Sequence, residues 1–184
     1  MKDSDITSPR TSAIPARIPL VIGFANLSGD DLSGIASEDE VALAPLFSQS
    51  RVVPAGQVPS AHVLFVYTHL NMDGTIKGTP ASGIRQIVQA TKAAILVLAS
   101  ANSQESLQHA AHLPGPKTAN IVLTLDRNGA AFSRFFQDLF VKMRGGTDML
   151  SAWVELAPQV RHSSLSNVPA TLLLAEAGKL AFPK

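Results

Sequence analysis

The sequence predicts an α/β fold in which a mainly parallel β-sheet is sandwiched between helices. Strand-like apolar runs alternate with stretches of helical period along most of the chain. One run, ILVL at 95–98, has no polar alternation, as expected of a strand buried on both faces. It stops at a corner of small and polar residues, ASANS at 99–103, where a helix begins. In open α/β sheets, binding and catalytic groups gather at such a corner, at the carboxyl end of a strand.

Taken in order, residues 1–16 form a loose start rich in Ser, Thr and Pro, and 17–184 form a single α/β domain. PLVIGFA at 19–25 is the first strand, closed by the turn NLSG at 26–29. After a polar loop over 30–36, Ser37 and Glu40 fit a capping box, in which each side chain meets a backbone donor at the helix start. Val41, Leu43, Ala44, Leu46 and Phe47 give that helix one apolar face. A short strand at 51–53 is followed by Pro54, Gly56 and Pro59. The stretch to His62 is too short for a parallel crossover with its helix, so an edge ribbon or loop is expected.

AHVLFVYTH at 61–69 is the second strong strand, and 71–74 turn the chain at its end. Thr79 and Pro80 suit the cap and first position of a helix lined by Ile84, Ile87, Val88 and Thr91. The strand 95–98 should be the most buried, flanked by 63–68 and 121–125. Asn102 or Ser103 caps the helix over 103–112, with Glu105 complementing its dipole, and Pro114-Gly115-Pro116 stops it. TANIVLTL at 118–125 is the third apolar strand, ending in the turn 126–129. Phe132, Phe135, Phe136, Leu139, Phe140 and Met143 mark a long amphipathic helix that Gly145-Gly146 ends. Thr147 can cap a further helix burying Met149, Leu150, Trp153 and Leu156. A polar loop over 158–167 leads to a last strand at 170–176 and a turn at Gly178.

Composition narrows the function. A chain of 184 residues with 46% apolar and 16% charged residues suits one sizeable core. Net charge is +1 with no Lys/Arg cluster, so the footprint of a nucleic-acid binder is missing. With no cysteine, disulfides, thiolate metal sites and thiol catalysis are excluded. No apolar run approaches the ~20 residues that span a bilayer. Asp3 and Asp5, with Pro15 and Pro19, do not suit a signal peptide, and a cytoplasmic protein is expected.

Most conspicuous residues have ordinary structural readings. His69 reads as a strand-end residue bonded to a nearby loop, or as part of a site. His109 and His112 have metal-ligand spacing, but without a third ligand they read as a solvated helix end, and no metal or cofactor is expected. Residues 126–129, DRNG, are foremost turn chemistry. Trp153 and the Phe stripe read as core. Phosphate-loop, dinucleotide-binding, serine-elbow and zinc-protease motifs do not occur.

One constellation resembles a known family. LVLASANS at 96–103 is preceded by a strand ending YTHLN and followed by TANIVLTLD, the helix pattern FxxFFxxLFxxMRGG and a closing PATLLLAEAG. This order, over roughly 61–178, resembles the caspase-like CHAT peptidases and implies a caspase-like, Rossmann-like three-layer architecture. The resemblance places His69 on the family's catalytic histidine and Ala101 on its catalytic cysteine. Leu70 stands where the family usually has Gly, and the nucleophile is absent.

A methyl group at Ala101 cannot attack a carbonyl. Ser100 should point away from Ala101 if the strand continues, and Ser103 lies in the helix cap. The expectation is a non-catalytic, pseudo-peptidase domain that works through a protein partner or self-association as scaffold, regulator or homo-oligomeric subunit. The alternative is a hydrolase, either a cysteine enzyme inactivated at Ala101 or one using Ser100 or Ser103 with a His69 that is otherwise vestigial. If the resemblance holds, the His69 side chain and the Ala101 methyl are expected to face one another across adjacent strand ends.

Overall fold

A computed structural model describes residues 20–79, 82–157 and 169–183. The strands are β1 (Val21–Asn26), β2 (Gln49–Val52), β3 (Val63–Tyr67), β4 (Ile95–Leu98), β5 (Asn120–Asp126) and β6 (Ala170–Ala175). They form one sheet in the order β2-β1-β3-β4-β5-β6, parallel throughout except for β6, which is antiparallel to β5. The helices are α1 (Ser33–Leu43), α2 (Ile84–Thr91), α3 (Gln104–His112), α4 (Ala131–Arg144) and α5 (Met149–Leu156). The α/β class and the neighbours expected for the central strand are both observed.

Alternation along the strands builds two cores. Val63, Phe65 and Tyr67 of β3 and Val97 of β4 point to the face covered by α1, α4 and α5. Leu64, Val66, Leu96 and Leu98 point to the face covered by α2 and α3. Parallel sheets need cover on both faces, and the continuous apolar runs are its consequence. β3 is as fully buried as β4, because both lie inside the sheet. The predicted Phe stripe of α4 is buried, with Phe65 at its centre 5.3 Å from Phe136 in an edge-on arrangement.

Several local expectations are corrected. α1 starts at Ser33 after a 3-10 turn at Gly29–Leu32, so 30–36 is not a loop and Ser37 lies inside the helix rather than capping it. α2 begins at Ile84, where the Gly83 N–H donates to Gln86 Oε1, not at Thr79. Asp148, not Thr147, caps α5, its Oδ1 accepting the Leu150 and Ser151 N–H groups. The expected start over 1–16, Pro80 and the loop over 158–167 lie outside the described residues.

The link from β2 to β3 is the largest correction. β2 pairs in parallel with one side of β1 and β3 with the other, so 53–62 is a parallel crossover made without a helix. It succeeds by lying flat on β1: a Cβ at Gly23 would stand 2.8 Å from Ala61 Cβ and 2.9 Å from Pro59 Cγ. Only glycine lets the chain pass so close. The usual minimum crossover length presupposes an intervening helix.

Candidate functional site

The carboxyl ends of β3, β4 and β5 carry the corner that the sequence singled out. Past the last β3–β4 ladder pair, Val66 opposite Leu98, the Ala99 N–H still donates to the Val66 carbonyl. Fully buried Ser100 takes the place of a ladder bond, its hydroxyl accepting the Thr68 N–H at 3.0 Å and donating to the Thr68 carbonyl at 2.5 Å. One step on, Asn102 Oδ1 accepts the Leu70 N–H at 2.8 Å, and its Nδ2 donates to the carbonyls of Thr68 and Ser100. The Asn102 N–H donates to the Thr124 carbonyl, so the three strand ends are tied together.

Between these tied pairs, on adjacent strand ends, lie His69 and Ala101. His69 is half-buried and Ala101 exposed. The backbone of His69 is bonded to neighbouring loops: its N–H donates to Ser28 Oγ at 3.2 Å, and its carbonyl accepts the Lys77 N–H. No hydrogen bond to its ring is present among the described residues. Ser103, rather than Asn102, caps α3: its Oγ accepts the Ser106 N–H at 3.2 Å and meets the Ser106 hydroxyl at 2.9 Å. The hydroxyls of both candidate serines are therefore engaged in holding backbone.

Beside this corner lies a polar cluster that sequence reasoning missed. Asp39 of α1 is fully buried. Its Oδ2 accepts from the Tyr67 hydroxyl at 2.9 Å and Arg127 Nη1 at 3.0 Å, and its Oδ1 from Arg127 Nη2 at 2.9 Å and Ser133 Oγ at 2.6 Å. Arg127 Nη1 also donates to the Ala99 carbonyl of the corner, and its guanidinium lies 3.9 Å over the Phe132 ring. A buried charge pair survives only when its remaining lone pairs are filled, which the two hydroxyls accomplish. Burial, then the Asp39 charge and its hydrogen bond, push the Tyr67 pKa well above its ordinary value of 10.0.

Two signals could have exposed this cluster: a tyrosine within an apolar strand, and Asp39 four residues before Leu43, on the buried face of α1. The expected turn falls at 128–130, since Asp126 is the last residue of β5, and Arg127 between them reaches back across the corner. On α3, His109 Nδ1 meets the Met72 carbonyl and His112 Nδ1 the Gln108 carbonyl, both exposed. No group of three metal-ligating side chains occurs among the described residues. None of the helices described is long and apolar enough to cross a membrane.

The arrangement can fix the strand ends rigidly and hold one buried ion pair. It offers no thiol, and both serine hydroxyls are bound to neighbouring groups. Compared with known proteins, the chain matches no family model and no curated protein.

Proposed function

We propose that this domain is a non-catalytic, caspase-like pseudo-peptidase that acts by contact, as a scaffold, regulator or self-assembling subunit. The observation that carries the reading is the state of the corner: a methyl group at Ala101, flanked by Ser100 and Ser103 whose hydroxyls hold backbone. Covalent hydrolysis needs a nucleophile whose proton a base can take. The Ser100 proton is directed at a carbonyl inside the protein, away from any substrate. In this reading the partner is a protein or another copy of the chain, and the protein works in the cytoplasm without a cofactor.

Ala101→Cys is the decisive variant. It puts a thiol on the strand end next to that of His69 and just before the start of α3, where a helix N-terminus lowers a thiol pKa. Iodoacetamide labelling much faster than that of a free thiol, and dependent on His69, is the expected result. Ordinary reactivity would leave the fold without a catalytic ancestry. Fluorophosphonate labelling of the unaltered protein at Ser100 or Ser103, abolished by His69→Ala, would replace this reading with that of a serine hydrolase. For self-association, sedimentation at high micromolar concentration should show a species larger than the monomer, and a monomer alone would leave only a protein partner.

A further inference from the structure

We propose that the amino ends of β1 and β3, together with β2 and the end of α2, form a binding site for the phosphate group of a small molecule. A cavity of about 370 Å³ opens there, lined on its polar side by Arg51, Ser60, His62, Thr91 and Lys92. Among the described residues its lining contains two full cations and no carboxylate. The ion pairs among the described residues are Arg85–Glu176, Arg127–Asp39 and Lys142–Glu155, so neither Arg51 nor Lys92 is neutralised in one of them.

Of the two cations, the Arg51 side chain is held in place and the Lys92 backbone is fixed at the end of α2. Arg51 Nη1 donates to the Ser60 carbonyl at 2.8 Å, which fixes the guanidinium and leaves four of its five N–H donors. Lys92 sits in a left-handed conformation, φ 56°, as the cap that ends α2. The negative end of that helix is partly occupied: the Val88 carbonyl accepts the Lys92 N–H and the Thr91 carbonyl accepts from Ser60 Oγ. It therefore opposes an anion less than an open helix end would.

His62 completes the site. Its Nδ1 accepts the Val21 N–H at 3.1 Å, which places the proton of the neutral ring on Nε2. Burial, and then the unneutralised charge of Arg51, hold its pKa below the usual 6.5. Two cations together with the neutral His62 Nε2–H match a dianion better than a single carboxylate charge, and a guanidinium fork suits phosphate oxygens.

Inorganic phosphate, titrated at constant ionic strength and followed by backbone amide resonances, tests the assignment. Saturable shifts centred on Arg51, Ser60, His62 and Lys92 are expected, with the His62 pKa raised by the bound dianion. Arg51→Gln and Lys92→Gln, both exposed positions, should each weaken binding about tenfold, the loss of one charge-assisted contact. Shifts that do not saturate, that fall equally on other surface cations such as Arg144, or that survive the double variant would overturn the proposal. Acetate acting as strongly as phosphate would overturn the phosphate assignment as well.

Discussion

The two ends of the sheet differ in how their polar groups are satisfied. At the carboxyl ends, Asp39 and Arg127 neutralise each other, Tyr67 and Ser133 fill the carboxylate's other positions, and Ser100 and Asn102 bind strand backbone. At the amino ends, Arg51 and Lys92 border a cavity with no acid among the described residues that line it. Fold position alone points to the carboxyl ends as the place for chemistry. Apart from the His69 ring and the Thr124 hydroxyl, the polar side chains described there bind one another or backbone, and unneutralised charge lies at the opposite end. Position in a fold locates a site, and the satisfaction of its polar groups decides whether it can act.

The largest break in this contrast should come from Asp39→Ala. It leaves the Arg127 charge buried and two hydroxyls without their acceptor, a loss of about 3–5 kcal/mol in urea unfolding. A loss below about 1 kcal/mol would mean that the carboxyl ends are not closed by this pair. Phe136→Ala, beneath the same corner, should cost on the order of 3–5 kcal/mol through the cavity it opens, and a thermal shift near zero would contradict its burial. Ser100→Ala removes the partner of the buried Thr68 N–H and should cost about 1–3 kcal/mol.

Smaller effects sharpen the comparison. Thr124 Oγ1 is buried without a hydrogen-bond partner among the described residues, beside the corner. Thr124→Val should therefore stabilise the protein, by up to about 1 kcal/mol. If the variant is less stable, the hydroxyl has a use at the carboxyl end. At the amino end, the lowered pKa of His62 means that the unfolded state takes up its proton first as the pH falls. The contribution is complete above 6.5 and declines as the pH drops from there toward the folded value. His62→Gln should flatten this part of the Tm–pH profile, and an unchanged slope would assign it elsewhere.

How much of this was legible in the sequence depended on whether a residue's role was local. The apolar runs of β3 and β4, the Phe stripe of α4 and the Ser103 cap are set by neighbours within a few positions, and they appear as expected. The α1 boundary was hidden because its buried face includes an aspartate, Asp39, whose partner Arg127 lies 88 positions away. The crossover over Gly23 was hidden because the glycine that permits it belongs to another element. At the corner, the serines were visible as residues, while their engagement with Thr68 and Ser106 is a property of the folded chain.

The closed carboxyl end has one direct reporter, because the chain contains a single tyrosine and that tyrosine is Tyr67. Burial and the Asp39 carboxylate favour its neutral form, so its contribution to stability is complete below 10.0 and is lost as the pH rises from there toward the folded value. An alkaline titration followed by tyrosinate absorbance should show no ionisation around the ordinary value while the fold persists, and Asp39→Asn should bring the transition down. A native protein whose tyrosine ionises at its ordinary value would contradict the closed network and return the carboxyl ends to consideration as an open site.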